Sequence, residues 1–135
     1  MELRICIDVD NLARALAFYA EGLGLQVGRR FDDEWAELLG AGSAIDLLVH
    51  APGTQAVPGQ PAVRNYQRHW TPVHLDIVVD DLDAAVARLL RAGAMRQAPI
   101  ATRAYGRIAA MADSFGHGLD LLELNQRGYD AIAAP

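Results

Sequence analysis

Hydrophobic and polar positions alternate from Leu3 to Val9: Leu3, Ile5, Ile7 and Val9 face one way, and Arg4, Cys6 and Asp8 the other. A period of two marks a half-buried strand. The period then changes. Leu12, Ala15, Leu16 and Tyr19 recur at helical spacing, after Asp10 and Asn11, whose side-chain oxygens suit a helix start. Gly22 and Gly24 mark its end. Strands are predicted near 25–30, over Trp35–Leu39 and over Ala44–Val49.

The plan then repeats. Val73–Val79 alternates, with His74, Asp76 and Val78 on one face. Asp80 and Asp81 offer caps, Leu82, Ala85, Val86 and Leu89 form a helical stripe, and Gly93 closes it. Displaced by 70 residues, this segment falls on the first, Ile7 on Ile77 and Asp10 on Asp80. Ile45-Asp46-Leu47-Leu48 falls on Leu119-Asp120-Leu121-Leu122 at an offset of 74, so four extra residues belong to the second copy's loops. Strands are expected near 94–100, 107–111 and 119–124, with a turn over 113–118. The expected architecture is α+β: two βαβββ units in tandem, with curved mixed sheets around a cleft. We expect one domain over 1–135, divided into a first unit (1–50), a linker (51–71), a second unit (72–125) and a tail (126–135) that adds a short surface helix. The linker is rich in Pro and Gly and ends in Tyr66, Arg68, His69 and Trp70, an amphipathic cluster suited either to packing or to covering a pocket.

Composition narrows the function. With 52% hydrophobic residues the chain can bury a sizeable core. A net charge of −5, with no basic stripe, argues against nucleic acid or an anionic membrane as partner. No run reaches the length of a membrane span and no leader is evident, so a cytoplasmic protein is expected. The single cysteine, Cys6, excludes an internal disulfide; a buried, inert thiol is expected there.

The repeat, with HLDIVVDDLDAAVARLLRAG and the closing ADSFGHGLDLLEL, resembles the vicinal oxygen chelate superfamily, which includes glyoxalase I, bleomycin-resistance proteins, extradiol dioxygenases and fosfomycin-modifying enzymes. The resemblance implies a small-molecule cleft, commonly a homodimer, and one divalent metal held by the first and last strands of each unit. The matching positions here are Arg4, Asp46, His74 and Asp120. His74 alone agrees in type; the aspartates keep a carboxylate. Arg4 departs, because a guanidinium stays protonated and has no lone pair to give.

Two arrangements follow. In the favoured one no metal is held, Arg4 pairs with Asp46 and Asp120, and Arg4, Asp46, His74 and Asp120 face a ligand together with Trp70 and Tyr105. In the other, His74, Asp46 and Asp120 hold a weakly bound Fe, Mn, Zn or Ni. For catalysis of lyase or dioxygenase type the candidates are His74 and Asp120, as acid and base. The alternative is a non-catalytic protein that sequesters a ligand or drug. His117 is expected to serve its turn. His50, Arg29 and Arg30 have no evident partner and are expected to be solvated.

Overall fold

The computed structural model describes residues 1–135 as two compact units, Met1–Gln67 and Arg68–Pro135. In the first, β1 (Arg4–Val9) leads into α1 (Leu12–Leu16), and β2 (Gln26–Phe31), β3 (Trp35–Leu39) and β4 (Ala44–Val49) follow. The sheet order is β1-β4-β3-β2, with β1 and β4 parallel and the other pairs antiparallel. The second unit repeats this with β5 (Leu75–Val78), α2 (Leu82–Arg91), β6 (Met95–Arg96), β7 (Ala101–Arg103), β8 (Gly106–Ala112) and β9 (Gly118–Leu124). Its order is β5-β9-β8-β6, β7 also pairs with β8, and β5 and β9 are parallel.

The two offsets read from the sequence reappear as strand register. Asp46 lies opposite Cys6 on β1, and Asp120 lies opposite Asp76 on β5. Each unit buries one helix stripe on its sheet. Leu12, Ala15, Phe18 and Tyr19 meet Ile45 and Leu47 in the first core; Leu82, Ala85, Val86 and Leu89 join Ala109, Leu119 and Leu121 in the second. The helix starts follow the expected chemistry. Asn11 Oδ1 accepts from the Arg14 amide at 2.9 Å, and Asp81 Oδ1 accepts from the Ala84 amide at 2.9 Å. The first helix widens into a π-helical turn over Ala17–Gly22 before Gly24, at φ +73°, turns the chain out.

Several expectations need correction. The strand expected near 94–100 is two short pieces, β6 and β7, flanking Pro99, which has no amide to give a ladder. The strand expected over Val73–Val79 is confined to Leu75–Val78, leaving His74 just ahead of it, near Pro72. Leu3, on the apolar face of the first alternation, is exposed. Cys6 is exposed rather than buried. The linker carries one bridge, Gln55 to Val63, and is tied to β1 by Arg64, whose Nε donates to Asp8 Oδ2 at 2.6 Å. The tail does form a short helix, a 3₁₀ turn over Gly128–Ala131.

Candidate functional site

In the first unit the strand register lines up Cys6, Asp46 and Glu37 across β1, β4 and β3. Two of these are carboxylates on adjacent strands, and both are buried. Like charges at that spacing repel, so counter-charges are required. Arg4 supplies one. Its Nε donates to Asp46 Oδ2 at 2.9 Å, and its Nη2 donates to Asp46 Oδ1 at 2.8 Å and to Glu37 Oε2 at 2.6 Å. Arg29 supplies the other, through Nε at 3.1 Å to Glu37 Oε1 and Nη2 at 2.5 Å to Glu37 Oε2. Trp35 Nε1 adds a third donor to Asp46, at 3.0 Å.

Hydrogen bonds from Arg29 and then Arg4 hold the Glu37 carboxyl down at about 2. Asp46 is also lowered, chiefly by Arg4, against the opposing effect of burial. Gly28 makes room for this packing, since a Cβ there would stand 2.8 Å from Glu37 Oε1.

Arg4 and Asp46 are thus brought together, as the sequence suggests, but the second carboxylate that Arg4 meets is Glu37 rather than Asp120, and Arg29 and Trp35 join as further partners. The expectation that Arg29 and Arg30 are unpartnered is overturned: Arg29 meets Glu37, and Arg30 meets Asp33 at 2.7 Å. His50 likewise stands 3.8 Å from Asp8. The missing signal is the β2–β3 pairing; the alternation of Trp35-Ala36-Glu37 does place Glu37 on the same face as Trp35, opposite the core residues Ala36 and Leu38.

The equivalent row of the second unit reads Asp76, Asp120, Ala110. A methyl group stands where the first unit carries Glu37. Gln97 follows on the next strand position, its amide bonded to the Ala110 carbonyl at 2.8 Å. A hollow of about 180 Å³ lies here, floored by Ala110 and Gly118 and walled by Arg68, Trp70, Thr71 and Gln97. His74 and Asp120 also line it.

His74, Asp76 and Asp120 form a tight group. His74 Nε2 lies 3.1 Å from Asp76 Oδ1 and 3.6 Å from Asp120 Oδ2. One ligand-type atom from each falls within 4.8 Å of the others. Burial raises the Asp120 carboxyl above its usual range; the charge of Asp76 adds to this and His74 opposes it. Tyr129, from the tail, also faces Asp76, and burial raises its phenol too. Asp76 is thus within hydrogen-bond reach of the imidazole, although its own side chain is exposed.

Other candidates fall elsewhere. Trp70 lines the hollow and is 80% exposed. Tyr105 stands in the β7–β8 turn against Tyr129, ring centroids 5.3 Å apart, outside the lining of the hollow. His117 serves the turn through its backbone: its amide donates to Asp113 Oδ1 at 2.8 Å and its carbonyl accepts from the Asp113 amide at 2.9 Å.

The two halves of the inherited pattern thus differ in kind. A divalent ion needs lone pairs. In the first unit the strand-head position carries a guanidinium, and both Asp46 oxygens already accept from Arg4. That donor set does not fit a cation. In the second unit the strand head carries an imidazole, and a second carboxylate, Asp76, lies beside it.

Comparison with known proteins agrees with this architecture. The Glyoxalase-like domain family matches residues 4–122. A glyoxalase-related enzyme from Fulvimarina pelagi superposes with a TM-score of 0.70 at 18% identity, over 91% of this chain and 87% of that one. The fosfomycin resistance protein FosX from Listeria monocytogenes gives 0.69 at 18% identity, over 94% and 95%. A glyoxalase/bleomycin resistance protein/dioxygenase from Nocardioides gives 0.65 at 19% identity, over 95% and 85%. No curated protein matches the chain by sequence.

Proposed function

The chain belongs to the Glyoxalase-like domain family, within the vicinal oxygen chelate superfamily, and from that premise we propose that it handles a small molecule in the second-unit hollow without a resident divalent metal. The observation that carries this is Arg4, which removes one of the four ligands that the resemblance implies; His74, Asp76 and Asp120 are the groups that would hold an ion in the second unit. A fixed guanidinium supplies the positive charge that Asp46 and Glu37 require, and it does so at a position where the family resemblance implies a metal ligand.

The working groups in this reading are His74 and Asp120. Imidazole is the side chain suited to proton transfer at neutral pH. His74 faces two carboxylates through one nitrogen, so a proton on that nitrogen is held in place and aimed. Asp120, whose affinity for protons is raised by burial, takes or returns one in the hollow. That pair suits proton abstraction and return next to a carbonyl, the chemistry of a lyase or isomerase, with the substrate walled by Trp70 and Thr71.

The test is a thermal-shift screen of thiol adducts of α-keto aldehydes, catechols and glycopeptide drugs, followed by product analysis. A stabilising compound that is turned over, with turnover lost in His74→Gln and Asp120→Asn, supports catalysis. Stabilisation with no product points instead to a sequestering protein. No stabilisation by any of them counts against the ligand reading. A homodimer is part of the proposal, supported by the family resemblance and by exposed Val27, Phe31 and Leu39 on β2 and β3; a monomer by light scattering contradicts it.

A further inference from the structure

The second-unit hollow is lined by chemically different groups, His74 and Asp120 among them. Arg68 lines the same hollow. Arg4, Arg29, Arg64 and Arg107 each meet a carboxylate. Arg68 meets none. Its Nε donates to Gln97 Oε1 at 3.0 Å, and Nη1 to the His69 carbonyl. Both acceptors are neutral, so they orient the guanidinium and leave its charge uncompensated.

The backbone beneath is shaped for it. Gly118 opens β9 two residues before Asp120, and a Cβ there would stand 2.8 Å from Arg68 Nη2. The glycine lets the planar guanidinium lie against the strand. Trp70, two residues on, adds an aromatic surface to the same hollow. A hollow of about 180 Å³ is of single-ring size, since engineered cavities of about 150 Å³ hold benzene.

We propose that Arg68, seated on Gly118 and steadied by Gln97, is an anion anchor, and that the hollow takes a small ligand with a carboxylate or similar oxyanion at Arg68 and a hydroxyl toward Asp120. A guanidinium fork pairs two oxygens of such a group, and an anion is what an uncompensated arginine recognises. Asp120 and Asp76 accept from a hydroxyl and repel a second anionic group, which fixes the direction of the ligand. This rests on the reading of the hollow as a ligand site.

The experiment uses matched probes that differ only in charge: para-hydroxybenzoate against para-hydroxybenzyl alcohol, and lactate against propylene glycol. Binding to the full chain is measured by titration calorimetry and thermal shift at millimolar concentrations. The wild type is expected to prefer the anion of at least one pair. Arg68→Ala is expected to weaken that anion about ten- to a hundredfold and leave its neutral partner unchanged. Gly118→Ala keeps the charge but displaces the guanidinium, and is expected to weaken the anion in the same direction. Circular dichroism melts check that both variants fold; Arg68→Lys, which keeps charge but loses the fork, serves if alanine does not. Equal binding of anion and neutral partner, or an anion preference that survives Arg68→Ala, overturns the anchor while leaving the hollow as a ligand site. No binding of any probe to the wild type overturns both.

Discussion

Asp113 is the buried acid on which the start of β9 depends. It is fully buried, and its Oδ1 accepts from the Phe115 and His117 amides, both at 2.8 Å. Replacement by alanine leaves two donors without that acceptor. The Phe115 amide belongs to a fully buried residue, so its loss carries the larger part of the cost; His117 is half-buried, so water relieves some of it. At roughly 1–3 kcal/mol for each orphaned donor, the sum is about 3 kcal/mol. For a chain of this size that lowers the melting temperature by roughly 10–15 °C. Asp113→Asn keeps an acceptor oxygen in the same place and should cost about half as much. Thermal melts followed by circular dichroism, with urea unfolding for the free energies, measure both. Equal costs for Ala and Asn, or an Ala variant within about 1 kcal/mol of wild type, would refute the reasoning. Because the turn leads directly to Gly118 and Asp120, the Ala variant should also weaken binding in the hollow.

Other consequences are equally direct. Glu37, at about 2, and Asp46 both lie below their unfolded values near 4. Their ionised forms therefore stabilise the fold above about pH 4, and this contribution is lost as pH falls toward 2. Arg4→Gln should move acid unfolding to higher pH, read by tryptophan fluorescence during acid titration. Asp120 has the opposite sign: its folded value is raised, so its contribution is present at low pH and lost as pH rises through that value. Asp120→Asn should accordingly be neutral to stabilising at pH 7 in a thermal melt, even where it abolishes turnover. Gly106, at φ +147°, lies so that a Cβ would stand 2.1 Å from the Glu123 carbonyl oxygen. Gly106→Ala should break the β8–β9 ladder and give poorly soluble protein, while Gly42→Ala, in open space, should be silent.

Much of this was legible in the sequence because the repeat carries it. Offsets of 70 and 74 between matched residues make the two units equivalent, and the structure bears this out, with Asp46 opposite Cys6 and Asp120 opposite Asp76. Helix caps and stripes follow from local chemistry, and the structure agrees at Asn11, Asp81 and the stripe from Leu82 to Leu89. What was not legible depends on antiparallel pairing between strands that have no counterpart pattern. Glu37 and Arg29 meet only because β2 and β3 pair with an irregular register between Val27 and Arg30. Ala110 lines the hollow at the row position where the first unit carries Glu37, and a small residue in a strand announces nothing by itself. Pro99 does announce a break, yet the apolar residues around it suggested one continuous strand.

The claim most exposed to test is that Arg4 supplies the charge a metal would otherwise supply. Elemental analysis of the full chain, purified without chelator and again after dialysis against Mn, Fe(II), Zn and Ni, addresses it directly. No stoichiometric divalent metal is expected in either sample. One equivalent of metal per chain that disappears in His74→Ala would contradict it.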